Sequence, residues 1–82
     1  MDPEAYPVYR SLVGGGHYYR IDRPDHFEEL QRIGSRWLYH AVDAKAYPEQ
    51  LRVREMLSLD GPYDVLDPQE WSRTLDLARA LR

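Results

Sequence analysis

The chain has no cysteine, which removes disulfide bridges and thiolate metal ligands together and leaves stability to ordinary packing. It has no apolar run near the ~18–20 residues that a membrane-spanning helix needs, and no signal-peptide pattern opens it. A cytoplasmic protein with no membrane association is therefore expected. One-sided charge is also missing: the net charge is −3, and none of the segments 1–16, 17–41, 42–60 and 61–82 departs from neutrality by more than one charge. Binding to nucleic acid relies on clustered cations that displace counterions from phosphates, and no such cluster shows in the order of residues. Folding could still gather Arg20, Arg23, Arg32 and Arg36 on one face, so a nucleic-acid-binding accessory role stands as one alternative.

Catalytic constellations are equally scarce. His17, His26 and His40 are the only imidazoles and none lies four residues from another, so a zinc site would need carboxylates from distant segments. Neither a metal nor a cofactor is expected. Ser11, Ser35, Ser58 and Ser72 sit in no recognisable nucleophile context. Gly14-Gly15-Gly16 could suggest a phosphate-binding loop, but His-Tyr-Tyr-Arg-Ile follows, with no Lys-Ser/Thr pair. Such a loop needs a helix start whose amides face the anion. The sequence points away from an enzyme.

What is present describes a small globule. Eighty-two residues allow one domain spanning 1–82, with residues 1–5 as a loose lead-in, and a core that is thin for its surface. Three glycines between the β-prone stretches 8–13 and 17–21 predict a hairpin, because glycine reaches positive φ at no steric cost. Asp25, with Glu28 three residues on, reads as a helix cap, and Phe27, Leu30, Ile33, Trp37, Leu38 and Ala41 recur at helical spacing. That pattern predicts a helix continuing to about Ala44. Gly34-Ser35 is its weak point, and the alternative makes residues 36–42 a strand. Pro48 restarts a helix over the ambiguous stretch 51–59. Asp60-Gly61-Pro62 marks a turn and Tyr63–Leu66 a short strand. Asp67-Pro68-Gln69-Glu70 opens a helix carrying Trp71, Leu75, Ala78 and Leu81 on one side. The two strand-to-helix passages, Tyr19–Asp22 into Phe27 and Tyr63–Asp67 into Trp71, look alike and could set their strands side by side.

The fold class expected is α+β: a small antiparallel sheet, made of the N-terminal hairpin and a short later strand, packing one face on two or three amphipathic helices. Phe27, Leu30, Ile33, Trp37, Leu38, Leu57, Trp71, Leu75 and Leu81 are the expected core. Seven tyrosines exceed what so small a core can bury with every hydroxyl satisfied. Tyr18 and Tyr19 are consecutive on a predicted strand, so one should face the helices and the other outward. Tyr9, Tyr18, Tyr19 and Tyr39 are the candidate interaction surface, since exposed aromatics with arginines nearby suit protein contacts. A thin core and surplus tyrosines point to a non-catalytic protein-interaction module acting as a homodimer. The alternative is a small-molecule or peptide binder whose pocket lies between sheet and helices or across a dimer.

Overall fold

The computed structural model describes residues 6–80; the lead-in at 1–5 and the expected core residue Leu81 lie outside the described residues. Five strands form one antiparallel sheet: β1 (Val8–Leu12), β2 (His17–Arg23), β3 (His26–Ile33), β4 (Arg36–Asp43) and β5 (Tyr63–Val65), in the order β4-β3-β2-β1-β5. Two helices complete the fold, α1 (Tyr47–Ser58) between β4 and β5, and α2 (Pro68–Ala80) after β5. The α+β class holds, with five strands where the sequence suggests a hairpin and one short later strand, and with two helices. The β1–β2 hairpin turns through Gly14, Gly15 and Gly16 at φ of 98°, 85° and 87°, a conformation that side chains resist. Asp67 caps α2 as expected, its Oδ1 accepting from the Gln69 amide at 2.9 Å.

The main correction falls on residues 25–44. The predicted helix is instead β3 and β4, paired from His26↔Asp43 to Ile33↔Arg36. Gly34-Ser35 is the two-residue turn between them, with Gly34 at φ 64°, which suits a primed hairpin turn. Asp25 therefore caps nothing: it sits in the β2–β3 turn, and its carbonyl accepts from the Ala44 amide at 2.7 Å. The two strand-to-helix passages do not match either, because β2 leads into a strand and only β5 leads into a helix.

Register shows why helical spacing misleads here. Residues opposite each other in a ladder share a face, and neighbours along a strand alternate. Val8, Ile21, Phe27 and Val42 are cross-strand partners, and they pack with Tyr19, Ala44 and the α1 residues Val53 and Met56. On the other face Leu30, with Tyr9, Tyr18 and Trp37, packs against Trp71, Leu75 and Ala78 of α2. The sheet is thus covered on both faces, α1 on one and α2 on the other, rather than on one. Phe27 and Leu30 are both fully buried yet point to opposite faces. A strand buried on both sides can place apolar residues three apart, as a helix does.

Ile33 and Leu38, expected in the core, are 55% and 40% exposed at the end of the β3–β4 hairpin that α1 leaves open. Trp37, Leu57 and Leu75 are half-buried. Ile21, Val53 and Met56 do core work that the sequence pattern did not single out.

Candidate functional site

The two ends of the sheet differ. β5 is a three-residue edge, whereas β4 is an eight-residue edge whose residues are exposed except for half-buried Trp37 and Val42. The phase of its hydrogen bonds follows from β3. The Arg32 amide donates toward β2, to the Gly16 carbonyl at 2.8 Å, and backbone groups of successive strand residues alternate in direction. Gln31 and Glu29 therefore bond toward β4, to their partners Leu38 and His40. The remaining β4 residues, Trp37, Tyr39, Ala41 and Asp43, direct their N–H and C=O groups away from the sheet. Beside that edge runs a groove of about 510 Å³, lined by residues 37–40 of β4 and by Leu75, Ala78 and Arg79 of α2.

Side chains on the α2 face organise this edge. The Tyr39 hydroxyl donates to Glu28 Oε2, Glu28 Oε1 accepts from Arg20 Nη1 at 2.8 Å, and Arg20 Nε reaches the Tyr9 hydroxyl at 3.4 Å. One polar chain thus crosses β4, β3, β2 and β1. Tyr18 stacks on Trp37 with ring centroids 5.0 Å apart and donates to Glu70 at 3.3 Å, while Tyr9 meets Trp71 at 6.2 Å. These contacts fix the rotamers of Trp37 and Tyr39 at the rim of the groove.

Burial, the hydrogen bond to Glu28 and the Glu28 charge push the Tyr39 phenol up to about 12, against a weaker pull from Arg79 and Arg20. The folded chain therefore favours neutral Tyr39. The associated stability is present below the ordinary phenol value and is lost as pH rises from there through about 12. An alkaline phenolate titration of the wild type should show one more late-ionising phenol, near pH 12, than that of Tyr39→Phe. A difference between the two curves centred near the ordinary phenol value of 10 instead would mean that the Glu28 contact does not form.

Tyr9, Tyr18 and Tyr39 share the α2 face and belong to this arrangement. Tyr19 does not. It points to the α1 face, is 3% exposed, and packs edge-on to Phe27 and Tyr63 with the Arg52 guanidinium 5.6 Å from its ring. Burial, then the Glu29 charge, raises its phenol pKa. The alternation of Tyr18 and Tyr19 is as read, but neither side faces open water, because each meets a helix.

The four arginines singled out for nucleic acid do not converge. Arg20 is held by Glu28 on the α2 face. Arg23 pairs with Asp25 at 3.3 Å at one end of the sheet. Arg32 donates to the Gly34 carbonyl at 3.0 Å at the other end, where Arg36 opposes Ile33 on the opposite face. Of the imidazoles, His17 bonds Glu29 at 2.8 Å and His26 bonds Asp22 at 2.6 Å, while His40 lies exposed on the edge strand. Among the described residues no three His, Cys, Asp or Glu side chains form a group that could hold a metal ion, and no helix is long and apolar enough to cross a membrane.

Of the groove residues, the sequence assigns only Tyr39 to a site; Trp37, Leu38 and Leu75 read as core, and His40 and Arg79 carry no site assignment. The signal that could have found β4 is Gly34-Ser35 between two apolar-containing runs, itself a hairpin mark. Compared with protein-family models, curated proteins and solved structures, the chain matches none.

Proposed function

We propose that this protein is a non-catalytic interaction module that works as a homodimer, with the β4 edge as its contact. The observation that carries this reading is the edge itself: eight residues long, with the amides of Trp37, Tyr39, Ala41 and Asp43 directed outward. Exposed edges recruit further strands unless something blocks them, and the usual blocks are proline, a bulge, a central lysine or a covering element. The β4 sequence RWLYHAVD contains no proline and no lysine, and its pairing to β3 runs without a register shift. Its charges, Arg36 and Asp43, stand only at the two ends. β5, by contrast, stops after three residues.

Size supports the same reading. A chain this short leaves a small margin between core burial and chain entropy, and self-association is one remaining source of stability. Light scattering behind a sizing column should give a mass near twice 9.7 kDa at both a high and a low protein concentration. A mass of 9.7 kDa throughout would overturn the homodimer.

The groove gives a second reading some support. Its volume of about 510 Å³ lies in the range of small-molecule sites, with aromatic walls and one cation, Arg79. A peptide or small molecule held there would contact the same β4 residues as a second copy would. The two readings therefore compete for one surface. A ligand that raises the melting temperature while driving a dimer to monomers would identify that competition.

A further inference from the structure

We infer that two copies join in a single register, antiparallel through β4 with His40 opposite the partner's His40, so that the sheets merge into one of ten strands. This rests on the homodimer reading above and specifies its contact. Joining two identical edge strands antiparallel places a two-fold axis normal to the sheet. Such a rotation keeps each face on its own side, so a residue can oppose only a residue of the same face. The outward backbone groups belong to Trp37, Tyr39, Ala41 and Asp43, and these must pair among themselves.

Centring the axis on His40 satisfies all of them. Trp37 opposes the partner's Asp43, Tyr39 opposes the partner's Ala41, and both pairs recur by symmetry. Centring on Tyr39 would set Asp43 against the partner's Ser35, which lies in the β3–β4 turn. Centring on Ala41 would set Trp37 against the partner's Lys45, beyond the end of β4. Only the His40 register pairs all four outward residues within β4.

Side chains agree with that register. On the α1 face, Leu38, 40% exposed in the single chain, meets the partner's Val42 on either side of the paired imidazoles. On the α2 face, Tyr39 lies over the partner's Ala41, a large side chain against a small one. The partner's Asp43 arrives on the side of the groove that Arg79 lines, which sets opposite charges on the two sides of the joint.

The absence of native cysteine makes the test clean. In this register residue 40 is a non-hydrogen-bonded pair, with Cα atoms about 4.5 Å apart, inside the disulfide range of about 4.4–6.8 Å. Residue 39 and its symmetry mate stand diagonally, roughly 8 Å apart and past the ~7 Å limit. Under mild oxidation with diamide, the His40→Cys chain should shift on a non-reducing gel from 9.7 kDa to twice that mass, while the Tyr39→Cys chain should not. Light scattering of both variants under reducing conditions shows whether each still associates. Cross-linking of Tyr39→Cys in place of His40→Cys would overturn the register and leave the dimer standing. A dimer mass with no cross-link in either variant would place the contact away from β4. A monomer mass for wild type and variants would remove both proposals.

Discussion

Replacing Phe27 with alanine should destabilise the fold by about 3–5 kcal/mol, the usual cost of removing a buried phenyl ring. Phe27 is fully buried between Ile21, Val42 and the α1 residues Val53 and Met56. The Tyr19 ring sits edge-on to it at 6.2 Å and the Arg52 guanidinium stands 5.4 Å from its centroid. None of these groups can collapse into the space without disturbing β2 or α1. Small domains hold only about 5 kcal/mol at the lower end of the usual range, so a urea titration followed by circular dichroism should show most of the cooperative transition lost. Ile33→Ala, at a position 55% exposed, should move the midpoint little, by within about 0.5 kcal/mol. Sequence spacing puts Phe27 and Ile33 on one helical stripe. A helix would make the two substitutions comparable, and the sheet makes them differ several-fold.

Ala41→Pro should split the dimer while leaving each copy folded. Proline lacks the amide hydrogen, and at position 41 that hydrogen points away from β3, so the internal ladder loses nothing. Proline is tolerated at such outward positions on an edge strand. At the joint, each copy loses the hydrogen bond from Ala41 to the partner's Tyr39. With about 1 kcal/mol per net hydrogen bond and two symmetric losses, dissociation should strengthen by on the order of 30-fold, before any steric effect of the ring. Val42→Pro is the contrasting variant. Val42 is paired with Phe27 and its amide bonds inward, so proline there should unfold the chain. Circular dichroism with sedimentation equilibrium separates the two outcomes. An unchanged dissociation constant for a folded Ala41→Pro chain would exclude β4 as the contact.

Much of the periphery of this fold is readable from residue order, because local chemistry decides it. Three consecutive glycines make the first hairpin, Pro48 opens α1, and Asp67-Pro68 with Glu70 opens α2. The middle is not local. Phe27 belongs to the α1 layer and Leu30 to the α2 layer, and the three-residue gap between them matches a helix only because both faces of the sheet are covered. Once β3 and β4 are read as a helix, Gly34-Ser35 becomes a defect instead of a turn, and Ile33 and Leu38 are drawn into a core they do not join.

The candidate site suffers from the same cause. Tyr9, Tyr18 and Tyr39, grouped with Tyr19 by residue type, share the α2 face. Tyr19 is separated from them by strand alternation, which is legible. That its own face is closed by α1 is not legible. Whether β4 is an edge depends on the strand order, β4-β3-β2-β1-β5, in which the fifth strand adds beside the first. A chain in which β5 paired with β4 would have covered part of that edge. The outward amides of Trp37, Tyr39 and Ala41 follow from that topology, and residue types alone do not reveal them.

The measurement that bears most directly on the interaction reading is the solution mass of the wild-type chain beside that of Ala41→Pro, by light scattering over one shared dilution series. The wild type should hold a mass near twice 9.7 kDa to concentrations at least about 30-fold lower than the folded variant does, which falls to 9.7 kDa first. Coincident dilution curves, or 9.7 kDa for the wild type throughout, would contradict the β4 dimer.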